Sequence, residues 1–63
     1  MKSMIDNLIN GNLKDAKQQA QKFTQSQIQK YLGGIGWSKT KSTLAARYLK
    51  VGGQENWQAY CDC

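Results

Sequence analysis

Glycines punctuate this chain at Gly11, at the Gly33-Gly34 pair and at the Gly52-Gly53 pair. Glycine enters the left-handed backbone region without a Cβ clash, so each of these positions is a natural stop for a helix. The stretches between them open on side chains suited to helix starts. Ser3 with Asp6, Asn12 with Asp15, and Thr24 with Gln27 each place an acceptor three residues before a polar partner, and Ser38 is a fourth acceptor without one. Such pairs satisfy backbone N–H groups that the first turn leaves without partners. Four starts predict four short helices, with a fifth over roughly residues 55–60 carrying Trp57 and Tyr60.

Apolar spacing agrees with the caps. Met1, Met4, Ile5 and Leu8 make one helical stripe, Leu13, Ala16, Ala20 and Phe23 a second, and Ile28, Leu32 and Ile35 a third. Leu44, Ala45, Tyr48 and Val51 make the fourth. No segment alternates apolar and polar residues as a half-buried strand does. The expected fold is therefore all-α, a compact bundle of four or five short helices over residues 1–63 as a single domain. At 63 residues such a domain buries only about 60% of its unfolded surface, so most large apolar side chains are needed inside. Phe23, Tyr48 and Trp57 are accordingly expected in the core.

Several functions are disfavoured by inventory. There is no histidine, and the four acids lie too far apart in sequence to suggest a catalytic carboxylate pair, so an enzyme is not expected. Gly33-Gly34-Ile35-Gly36 followed by Trp37-Ser38-Lys39-Thr40 lacks the ending of a phosphate-binding loop. No apolar run nears the roughly 20 residues that span a bilayer, which predicts a cytoplasmic protein without a membrane partner. Cys61 and Cys63 would close too small a ring to staple the fold and are two ligands short of a structural zinc site. They are expected to be reduced thiols, and no cofactor is expected.

Charge is more informative. Nine Lys and Arg stand against four Asp and Glu, and the stretch from Ala16 to Gln54 holds seven of the cations and no acid. A field left uncancelled over that length attracts polyanions or an acidic protein surface. On a helical wheel, Lys39, Ser42, Thr43, Ala46 and Lys50 fall opposite the expected apolar stripe, with Arg47 at the flank. Cations and hydroxyls suit phosphates and base edges, and a small alanine lets a helix approach a groove. These six residues form the expected nucleic-acid-binding face, for DNA before RNA.

Two resemblances bear on that expectation. The segment Thr24 to Lys50, with Gly36-Trp37-Ser38 ahead of its second helix, resembles a helix-turn-helix, which implies a recognition helix over residues 38–50. Here the apolar anchor comes at Leu44, later than the family places it, and the stretch from Gly33 to Trp37 exceeds the usual turn. The string Tyr48-Leu49-Lys50, followed by Trp57-Gln58-Ala59-Tyr60-Cys61-Asp62, resembles the ending of small bacteriophage-encoded accessory proteins. That resemblance implies a regulatory protein and opens an alternative: an inhibitor or adaptor that docks on a host protein with an acidic surface, using Trp37 and Leu49 as an exposed anchor patch.

Overall fold

In a computed structural model of the protein, residues 1–52 are described. They form α1 (Lys2–Ile9), α2 (Leu13–Ala20), α3 (Gln25–Gly34) and α4 (Lys39–Lys50), with no strand among the described residues. The all-α reading stands. The expected fifth helix, Trp57, and both cysteines lie outside the described residues. No described helix is long and apolar enough to cross a membrane.

Two of the four expected caps form. At the head of α3, the Thr24 hydroxyl accepts from the Gln27 N–H at 3.0 Å while the Gln27 side chain accepts from the Thr24 N–H at 2.8 Å, a reciprocal capping box. At the head of α4, the Ser38 hydroxyl accepts from the Lys41 N–H at 3.1 Å. The others do not form. The first helix begins at Lys2, so Ser3 lies inside it, and Asp6 instead meets Lys2 at 3.5 Å. Asn12 does precede α2 but turns its amide to the Asn7 side chain at 3.4 Å. Thr24→Ala removes the one complete box and should lower Tm by about 4–8 °C in a thermal melt, the equivalent of roughly 1 kcal/mol in a domain this small.

Two turns share one construction. After α1, Gly11 has φ +85°, its N–H reaches the Leu8 carbonyl at 3.3 Å, and the Asn12 N–H reaches that of Asn7 at 2.8 Å. After α3, Gly36 has φ +102°, its N–H reaches the Gly33 carbonyl at 3.2 Å, and the Trp37 N–H reaches that of Leu32 at 3.0 Å. Both are Schellman closures, whose left-handed position glycine fills without strain. The expected stop at Gly33-Gly34 is therefore corrected: those two residues continue α3, and the closing glycine is Gly36.

The helices form two sequence-local pairs, α1 against α2 and α3 against α4, joined mainly where α2 meets α4. Met4, Ile5, Leu8, Ala16, Ala20, Ile28 and Leu32 are buried as their stripes require, with Leu13 and Phe23 packed at the edge. Ile35, expected in the third stripe, is 50% exposed because it caps α3 instead of extending it.

The fourth stripe is rotated from its expected position. Ser42, Ala45, Ala46, Tyr48 and Leu49 are buried, whereas Leu44 is half-buried and Val51 is 72% exposed. The inward face therefore carries three small residues in its first two turns and its bulk in Tyr48 and Leu49. Small residues let two helix backbones approach closely, and here that packing overrides the attraction of burying Leu44. Val51 is the C-cap residue, beyond the last helical turn.

Candidate nucleic-acid interface

The rotation of α4 redraws the expected interface. Ser42 is 1% exposed and Ala46 is fully buried, so neither belongs to the outer face. The residues that share the solvent side are Lys39, Thr40, Thr43, Leu44 and Arg47, of which Lys39, Thr40 and Arg47 are exposed. Thr40, overlooked when Ser42 and Ala46 took its place, would have been found by centring the wheel on Ala45 and Leu49. Lys39, Thr40, Thr43 and Leu44 line an open depression of about 440 Å³.

Two expected contact residues are already engaged within the fold. The Thr43 hydroxyl donates to the Lys39 carbonyl at 2.7 Å, so toward a ligand its oxygen is left as an acceptor. Lys50 turns away from the outer face: its ammonium donates to the Ala20 carbonyl at 3.3 Å and to the Gln21 side-chain oxygen at 3.5 Å. A cation at the C-terminal end of α2 is a second donor to a carbonyl that already accepts from the Phe23 N–H at 3.0 Å, and it matches the negative end of that helix's dipole. Lys50 thus fastens α4 to α2, and its removal weakens the fold before it weakens any ligand contact.

The alternative anchor patch is not assembled. Leu49 is 1% exposed and belongs to the core. Trp37 is half-buried, packs against the core, and carries the Lys41 ammonium 4.6 Å above its ring centroid. The Lys17 ammonium lies likewise 4.4 Å over the ring of Tyr48.

Charge is distributed unevenly along the chain. Asp6 and Asp15, the acids among the described residues, sit on α1 and α2, while α3 and α4 carry Lys30, Lys39, Lys41, Arg47 and Lys50 and no acid. The single ion pair among the described residues is that of Lys2 with Asp6.

Beside the outer face lies a second concavity that sequence reasoning did not anticipate. A groove of about 450 Å³ runs between α3 and α4, lined by Gln29, Lys30 and Gly33 on one side and Trp37, Lys39 and Ser42 on the other. The Ser42 hydroxyl has no hydrogen-bond partner among the described residues. Its neighbour Thr43 turns its hydroxyl back onto its own helix. Ser42 does not, although the carbonyl one turn earlier, that of Ser38, already holds the Ser42 N–H at 2.9 Å. Burying a hydroxyl without a partner costs about 1–3 kcal/mol. Lys39 borders both the groove and the outer depression. Comparison with known protein families, curated proteins and solved structures found no match for this chain.

Proposed function

We propose that the protein is a small non-enzymatic regulator that binds nucleic acid, DNA before RNA, through phosphate contacts on the solvent side of α4 and the adjoining part of α3. One observation carries this reading: α3 and α4 hold five cations and no acid, and three of those cations, Lys30, Lys39 and Arg47, are exposed. An acid-free basic surface attracts polyanions, and exposed Lys and Arg release condensed counterions when they meet phosphates. The link between α3 and α4, residues 35–38, is shorter than the sequence suggests, which favours comparison with a helix-turn-helix. On that comparison Lys39, Thr40 and Arg47 are the residues that face a groove, with Thr43 as an acceptor. Docking on a host protein has less support, since Leu49 is unavailable as an anchor.

Fluorescence anisotropy with a labelled DNA duplex tests the reading. Lys39→Gln and Arg47→Gln should each weaken binding to every sequence and flatten the slope of log K against log salt by about 0.9. Lys2→Gln, which alters a cation on α1 already paired with Asp6 at 3.5 Å, should leave both unchanged. A wild-type protein that retains no DNA or RNA at about 100 mM salt and up to about 100 µM, the weak end of non-specific binding, overturns it.

A further inference from the structure

We infer that the groove between α3 and α4 receives one unpaired nucleotide, so that the protein's preferred ligand is a single strand. This rests on the nucleic-acid reading above and specifies the kind of strand. The volume of about 450 Å³ lies in the lower half of the roughly 300–1,000 Å³ range of small-ligand sites.

The lining supplies what a nucleotide needs. Lys30 and Lys39, exposed at the rim, complement the phosphate. Trp37, half-buried and packed against the core, lends the groove aromatic surface for a base to lie against. Lys41, above that ring, does not line the groove. Gln29 presents an amide with both donor and acceptor, the complement of a base edge. Gly33 leaves the α3 wall open, since a Cβ there would meet nothing within 4 Å.

Ser42 is the independent sign of a ligand. Its hydroxyl is 99% buried by residue, lacks a partner among the described residues, and belongs to a residue lining the groove. An unsatisfied buried group in a folded protein calls for a missing partner. A base or sugar oxygen in the groove supplies one when the Ser42 side chain rotates toward it, its hydroxyl being closed to solvent as α4 stands. A duplex does not, because its bases are stacked and paired and none is free to enter.

Two variants separate this site from the outer face. Gly33→Leu fills the groove from a position with open space around its Cβ and replaces a glycine in a helix with a good helix former, so the fold is retained. Ser42→Ala removes the unpaired hydroxyl and should raise Tm, because a buried polar group without a partner is lost. The probes are a labelled oligothymidylate and a duplex of equal length, read by anisotropy, with thermal melts on every variant. Wild-type protein should bind the single strand more tightly than the duplex. Gly33→Leu should abolish that preference, and Ser42→Ala should weaken single-strand binding by up to about tenfold, the equivalent of one hydrogen bond. Duplex binding should be unchanged in both. If both folded variants bind the single strand as wild type does, or if wild type prefers the duplex, the inference fails while the wider reading stands. Equal affinity for polyglutamate and the single strand, unaffected by Gly33→Leu, also overturns it. Absence of all polynucleotide binding overturns both.

Discussion

Leu49→Ala should remove a large part of the protein's stability. The residue is 1% exposed and sits among Ala45, Ala46 and Tyr48 on the inward face of α4. Truncating a leucine in such a place costs about 2–5 kcal/mol, through lost burial and the cavity left behind. A chain of this length has a total stability of only roughly 3–9 kcal/mol, so the change removes at least about a fifth of it and, at the low end of that range, most or all of it. Urea unfolding followed by circular dichroism measures the loss directly. Val51→Ala, at a site 72% exposed two residues further on, should shift stability by no more than about 0.5 kcal/mol. A Leu49→Ala protein that melts like wild type but no longer captures a host protein would place Leu49 on an outer docking surface and overturn the packing described for α4.

The second large effect is expected from salt. If Lys30, Lys39 and Arg47 each neutralise one phosphate, log K for a duplex falls with log salt at a slope of about −2.7. Raising salt from about 50 to about 200 mM should then weaken binding by roughly 40-fold. For a single strand, whose counterion atmosphere is thinner, the same three contacts give a slope near −2.1 and a loss of roughly 20-fold. For a probe of known form, the slope thus counts the phosphate contacts. A slope near zero would mean that these cations do not meet phosphates. A slope much steeper than −3 would recruit further cations, such as the exposed Lys22, just past the end of α2 within the acid-free stretch, and Lys14, just before that stretch.

The parts of this fold that were legible in the sequence are those decided within a few residues. Thr24 and Gln27 lie one turn apart and satisfy each other whatever the rest of the chain does. Met4, Ile5 and Leu8 form a stripe on one face of α1, with Ile9 the one apolar residue of that helix left exposed. The orientation of α4 was not legible, since its inward face includes Ser42, Ala45 and Ala46, which carry little hydropathy signal. Leu44 and Val51 look like core residues until α3 and α2 are in place against the helix. The extent of α3 was obscured for a related reason: Gly33, Gly34 and Gly36 are equally permissive, and the closure is decided by hydrogen bonds from Gly36 and Trp37 back to the last turn. The candidate interface shows the same division. Lys39 and Arg47 could be placed from helical spacing, but the groove exists only between two packed helices, and the partner of Lys50 lies 30 residues away.

That long-range tie has a kinetic consequence. Most helix-to-helix packing lies within α1–α2 and α3–α4, pairs joined by short links, and bringing such neighbours together requires closing only small loops. Topologies of this kind belong to the fast end of two-state folding, because little chain entropy is lost before contacts begin to form. The meeting of α2 with α4 is different. It closes a loop of about thirty residues, and it joins Lys50 to the end of α2 only once both hairpins have the right mutual orientation. Side chains at this junction therefore act mainly on how long the native state persists before it opens, and only weakly on how quickly it is reached.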